Sequence, residues 1–277
     1  MCKLINGHSA ELSCRAMPGR DDVDTATNLR SGSLDLGLVD SQVLIDAIQK
    51  KGAFQFLGID YGSLRMLAPV YAVPATLIVR RDAGIASLDD LAGSKVNAGL
   101  PGSSQQRFWK LIMQVKNWTR DDFPLLEELP SGRSEERMAL CHGTIQATLH
   151  IGVHPDPWLQ ELFQRCPAGL TGLADRSIRT HIHDNHSFFP TDIPAGTYAS
   201  GQETIRTIGT KVLLVASEDV QRRIVLSVLK ALAASQKDLQ TIHPAFSAFI
   251  LQAPAQEEDG PGLHPGAAAY FRQRGFE

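Results

Sequence analysis

The sequence predicts an α/β fold with mostly parallel sheets, and three observations carry that expectation. Short apolar runs rich in β-branched residues alternate with stretches whose apolar residues recur at helical spacing, the pattern of strands joined by crossover helices. Hydrophobic residues make up 43% and charged residues 21% of the 277, ordinary usage that excludes disorder, collagen and a coiled coil. No period of 20–50 residues repeats, which excludes a solenoid. A chain of this length allows about two domains.

Element by element, Leu34-Asp35-Leu36-Gly37-Leu38-Val39 is a buried strand. Ser41 follows as the cap of a helix marked by Val43, Leu44, Ala47 and Ile48. Ala75-Thr76-Leu77-Ile78-Val79 is a second strand, and Ser87 to Leu91 is a short capped helix that stops at Gly93. A strand over Lys95 to Gly99 ends in Pro101-Gly102, and a helix from Ser103 to Lys116 buries Phe108, Leu111, Ile112 and Val115. Glu135 to Cys141 is helical, Thr144 to Ile151 a strand, and Pro157 to Gln164 helical with proline at its start. Gly209 to Ala216 is a strand, after which Ser217 caps an amphipathic helix reaching Ala234. Gln252 to Pro265, rich in proline, glycine and acid, is a surface loop.

Charge and motifs narrow the function. A net charge of -3 without a basic run supplies no electrostatic reason to bind nucleic acid or anionic lipid. No apolar run of about 18 residues is present to span a bilayer. Met1 to His8 is too short and too polar for a secretory leader, so the chain is either cytosolic or a mature or trimmed form. The sequence has no G-x-S-x-G, H-E-x-x-H, G-x-x-x-x-G-K-[ST] or clean G-x-G-x-x-G, the signatures of common catalytic and cofactor sites. The expectation is a protein without enzymatic activity, cofactor or metal. His181-x-His183-x-x-His186 is the best metal candidate. It sits in an expected loop without a nearby cysteine and reads as polar surface. Cys2, Cys14, Cys141 and Cys166 lack metal or redox spacing and allow three pairings, or four buried thiols.

Two turns carry the binding candidates. Gly102, Ser103 and Ser104 lie between a strand and a helix. Glycine there allows close backbone approach, and the first helical N–H groups lack partners and carry partial positive charge, which suits a carboxylate. The plain alternative is an ordinary serine cap. Gln106 and Arg107 follow on the helix. Asp40 and Ser41 end a strand and begin a helix, the place where open α/β sheets bind ligands; alternatively they only cap the helix. An aspartate there suits an ammonium group, so a zwitterion would satisfy both turns. Tyr71, just before the expected crossing strand, either walls a cleft or packs a hinge; His154 either contacts ligand or caps the next helix.

Six blocks in order resemble the TAXI-type solute-binding proteins of TRAP transporters, extracytoplasmic receptors that hand a solute to a membrane permease. They are Leu29-Arg30-Ser31-Gly32 with Leu34 to Val39; Val79 to Ile85 with Leu88 to Gly93; Val96 to Gly99 with Pro101-Gly102-Ser103; Gly152-Val153-His154-Pro155-Asp156-Pro157; Ile193-Pro194-Ala195-Gly196-Thr197-Tyr198; and Leu263-His264-Pro265-Gly266-Ala267. The resemblance implies a two-lobed, type II periplasmic-binding-protein-like fold with crossing hinge strands and a ligand cleft between the lobes. It assigns residues 1–76 to a first lobe, 77–208 to a second, and 209–277 to a return hinge strand and C-terminal helices packed on the first. It also implies a periplasmic location, Cys2–Cys14 and Cys141–Cys166 disulfides, Tyr198 as a further site residue, an organic acid or amino acid as solute, a TRAP permease as partner, and a monomer or weak dimer.

Three departures fall near the family's cleft. The family's first strand and its Gly-Thr-Tyr-Tyr-like loop are absent; its Thr-Gly-Gly-Ser turn is here Gly19-Arg20-Asp21-Asp22; and its Gln-Ser-Asp is here Asp40-Ser41-Gln42. Relatives commonly place arginine at Gln106, one position before Arg107, and one helical step turns a side chain by about 100°. The missing strand leads to an expectation of weak or absent ligand binding and of a dimer contact near residues 34–39 through an exposed edge. Other readings are a sensor of the same fold that docks on a membrane signalling protein, and a hydrolase using Ser103.

Overall fold

The computed structural model describes residues 1–9, 11–183, 188–254 and 260–275. The chain forms two compact units, Met1–Ala72 with Lys211–Glu277, and Val73–Thr210. It passes from the first to the second within strand β2 (Leu64–Arg80) and back within β8 (Ile205–Ser217).

In unit 1, helix α1 (Cys2–His8) precedes α2 (Asp22–Ser31), β1 (Gly37–Asp40) and α3 (Ser41–Ile48). Asp21 caps α2 by accepting from the Asp24 N–H, and Gly32 ends it with φ of 76°, a left-handed conformation that glycine adopts without penalty. β1 pairs antiparallel with β8, from Gly37 opposite Val215 to Asp40 opposite Val212. Ala26, Leu29, Val39, Leu44 and Tyr61 form one core. Ile5, Leu67, Leu229, Tyr270 and Phe271 form another, between α1, β2, α8 (Arg222–Ala234) and α10 (Pro265–Gln273). Leu36 and Leu38 are half-buried against that second core. A Cβ on Gly266 would stand 2.9 Å from Val225 and 3.0 Å from the Arg222 carbonyl, so α10 and α8 need glycine to approach this closely. Leu263 bridges to Met66, and the buried His264 caps α10, so this end of the expected 252–265 loop is docked; residues 255–259 lie outside those described.

Unit 2 holds β3 (Lys95–Asn97), α4 (Ser104–Lys116), β4 (Leu125–Glu127), α5 (Ser134–His142), β5 (Ala147–Ile151), α6 (Pro157–Arg165), β6 (Ala168–Thr171), α7 (Arg176–His183) and β7 (Phe189–Ile193). β3 pairs parallel with β4 and β5. β2 pairs antiparallel with β5 and β6, and β7 with β8. The sheet is therefore mixed where the sequence predicts mostly parallel pairing. Crossover helices keep β3, β4 and β5 parallel, whereas the long strand β2 meets β5 and β6, and β8 meets β1 and β7, antiparallel. Phe108, Trp109, Ile112, Leu77 and Leu149 fill one core of this unit, and Ile78, Leu140, Leu159 and Leu162 the other.

Several boundaries differ from expectation. Tyr71 lies inside β2, which runs through Pro69 and Pro74. Ser217 ends β8, and its helix begins only at Arg222 with Gln221 as cap. His181 and His183 stand on α7 and not in a loop; two residues apart on a helix, they do not share a face. His186 lies outside the described residues, among which no group of three His, Cys, Asp or Glu side chains could hold a metal ion. No described helix is long and apolar enough to cross a membrane. Both expected disulfides are present, Cys2–Cys14 and Cys141–Cys166, each with Cα atoms 5.0 Å apart.

Candidate functional site

In unit 2 the parallel pairing sets Val96 opposite Ala147 and Asn97 opposite Thr148. The loops that follow β3 and β5 therefore leave the sheet along one edge, at the carboxyl ends of adjacent parallel strands, where α/β proteins bind ligands. One loop is Ala98–Ser103 and the other Gly152–Asp156.

The first loop ends on α4. Gly102 has φ of 80°, with open space where a Cβ would stand. The Ser103 hydroxyl caps α4 by accepting from the Gln106 N–H at 3.1 Å. The Gln106 side-chain carbonyl accepts from the Gly102 N–H at 3.0 Å, so that side chain folds back on the turn. By their place in the first turn, the Ser104 and Gln105 N–H groups have no acceptor in the helix, and they are what the turn can offer an anion. Arg107 is half-buried and has a partner within the chain. Leu100, in the same loop, is 44% exposed.

Beneath this loop lies a buried polar network. The Glu136 carboxylate, 1% exposed, accepts from Asn97 Nδ2 at 2.8 Å, Gln105 Nε2 at 3.2 Å, Thr148 Oγ1 at 2.6 Å and the Gly132 N–H at 2.7 Å. Asn97 Oδ1 accepts from the Gly99 and Leu129 N–H groups at 3.0 and 2.8 Å. No single sequence window contains these residues, and the sequence reading missed Glu136, Asn97 and Gln105.

The second loop carries His154, which the structure brings together with Tyr198. His154 Nδ1 is 2.6 Å from the Tyr198 hydroxyl, and Nε2 is 3.1 Å from Thr76 Oγ1. The Tyr198 hydroxyl also accepts from the Asp156 N–H at 2.8 Å. Both ring nitrogens of His154 are thus engaged. Burial first, then the nearby His150, lowers its pKa to about 4 against the pull of Asp156. Burial likewise raises the Tyr198 hydroxyl well above the usual tyrosine range, although the Asp156 N–H opposes it. Asp156 caps α6 through the Trp158 and Leu159 N–H groups. Burial pushes its carboxyl up, but His150 and these two N–H groups outweigh that and hold it below the usual range. His150 Nε2 lies 3.3 Å from Asp156 Oδ2 without an aligned hydrogen bond. Its ring stacks on Trp158 at 6.1 Å.

The remaining candidates belong to unit 1. Asp40, 8% exposed, and not Ser41 caps α3, by accepting from the Gln42 N–H at 2.9 Å. The Ser41 hydroxyl instead accepts from the Lys211 N–H at 3.3 Å. Tyr71 packs edge-on against Phe246 at 5.3 Å. Burial, then the charges of Asp22 and Asp40, raise its pKa.

The structure is similar to that of a Xanthomonas citri protein bound to ATP, with a TM-score of 0.52 and 12% identity over 98% of this chain and 88% of that one. It is similar as well to a TctC solute binding protein from Polaromonas, with a TM-score of 0.52 and 14% identity over 84% of this chain and 76% of that one. The periplasmic aliphatic sulphonate binding protein SsuA from Escherichia coli aligns with a TM-score of 0.47 and 18% identity over 79% of this chain, which spans only 62% of that protein. At these identities the likeness is one of fold, the type II periplasmic-binding-protein class with two lobes. Residues 1–275 match the family model, and the chain belongs to the NMT1-like family.

Proposed function

We propose that the protein is a solute-binding receptor of the periplasm, of the TAXI type, which delivers a small organic acid or amino acid to a TRAP permease and catalyses no reaction. In this reading residues 1–76 and 209–277 serve as one lobe and residues 77–208 as the other. The observation that carries the reading is the shared edge at the ends of β3 and β5, from which both the turn that opens α4 and the loop that carries His154 leave the sheet. The anionic group of the solute lies at Gly102, Ser103 and Ser104, bordered by Gln106 and Arg107. His154 and Tyr198, held to each other, shape the neighbouring wall. In unit 1, Asp40, Ser41 and Tyr71 are the candidate polar residues, and the Asp40 carboxylate suits the ammonium of an amino acid. Two disulfides support an oxidising compartment.

A thermal-shift screen of organic acids and amino acids tests this. A solute at 100 times its Kd adds about 2.7 kcal/mol, a rise of several degrees in Tm for a chain of this size. At least one compound should produce that rise and be recovered unchanged. A flat screen, or conversion of the compound, would contradict the reading.

A further inference from the structure

We infer that Glu136 is the positioning residue of the unit 2 strand-end edge: its buried carboxylate fastens the Gly99–Ser104 turn so that a solute meets it in one geometry. The inference rests on the proposed binding role of that turn. The carboxylate gathers donors from four places in the chain: β3 through Asn97, α4 through Gln105, β5 through Thr148, and the loop before α5 through Gly132. Gln105 follows Ser104 in the first turn of α4, so holding its side chain holds the turn whose first N–H groups have no acceptor within the helix. Asn97, held by Glu136 through its amide nitrogen, uses its oxygen to fix the Gly99 N–H. Among the described residues no cation forms an ion pair with Glu136. Every hydrogen bond it makes is to a neutral donor, and an acceptor-only group with two oxygens is what four converging donors require. Burying a charge without a countercharge is costly unless hydrogen bonds compensate it, and here they go to the last residue of β3, the first turn of α4, β5 beneath, and the loop before α5. A residue serving only the core would not need to reach that edge.

The test is Glu136→Gln, which keeps the shape but turns one oxygen into a donor facing donors. Amide hydrogen exchange reads the loops directly. The Gly99, Leu129 and Gly132 N–H groups should exchange at least tenfold faster, while the Leu162 and Cys166 N–H groups of α6 stay unchanged. Uniform acceleration across unit 2, or no acceleration at those three positions, would overturn the inference. Should this variant fail to fold, Thr148→Val removes one donor to the carboxylate and one acceptor for Gln105 Nε2, and should give the same pattern at smaller size. Titration with sulfate and succinate separates this inference from the site reading. Weakening by Ser104→Pro but not by Glu136→Gln would leave the site standing and refute the positioning role. Loosened loops in Glu136→Gln, together with a wild-type protein that binds neither probe, would refute the site and leave the role of Glu136 in the loop intact.

Discussion

His154 shows how burial changes what a residue can do. An exposed histidine titrates near 6.5, and in the fold this ring is lowered to about 4. Between those values the folded protein binds fewer protons than the unfolded chain, so stability rises with pH. The contribution is complete above about pH 6.5 and is lost as pH falls through 4; a shift of this size corresponds to about 3 kcal/mol. His264, whose Nδ1 accepts from the Gly266 N–H at 3.0 Å, is lowered as well, first by burial and then by Arg222 and Arg65, against two backbone carbonyls. It acts in the same direction. Urea unfolding at pH 7 and pH 4 should therefore show a loss in the wild type about 3 kcal/mol larger than in His154→Gln. Equal losses in the two proteins would contradict this account of the ring. His154 and Tyr198 are legible in the sequence only as members of separate blocks. Their direct contact, and that of His154 with Thr76, are not, because they depend on the register that sets Thr76 opposite His150.

At the scale of elements, α4, α5 and α6 are legible from periodicity and caps, since their signals are local. The long strands are not. Prolines at 69 and 74 mark breaks by local rules, yet β2 runs through both, and Pro74 still offers its carbonyl to the Gly152 N–H at 3.2 Å. The cap of α3 shifts from Ser41 to Asp40 because aspartate at the strand end already reaches the Gln42 N–H. The disulfides tie elements that hydrophobic contacts alone would hold less firmly: Cys141 lies in α5 and Cys166 at the C-cap of α6. Closing a loop with a sequence separation of 25 stabilises by roughly 3–4 kcal/mol on the chain-entropy account. Replacing both cysteines with serine should lower Tm by roughly 6–12 °C, as read by calorimetry. An unchanged Tm would show that the bridge constrains nothing that unfolding releases.

Across the whole molecule, the alternation of strands and helices announces the α/β class, and the structure differs in making the sheet mixed. Strand direction depends on which segments become neighbours, and among the described strand pairings the parallel ones lie in the local β3–β4–β5 region, as alternation suggests. The edge left by that region is the centre of the functional account, and Ser104→Pro probes it with little other damage. Ser104 is the first residue of α4, where proline is well tolerated, and Ser103 already has the extended backbone, φ -71° and ψ 158°, that precedes proline. The substitution removes one outward N–H and little else. The direct measurement is calorimetric titration of wild type and Ser104→Pro with the best solute from the thermal-shift screen. The account predicts an affinity at least tenfold weaker in the variant with Tm unchanged; equal affinity in the two proteins would contradict it.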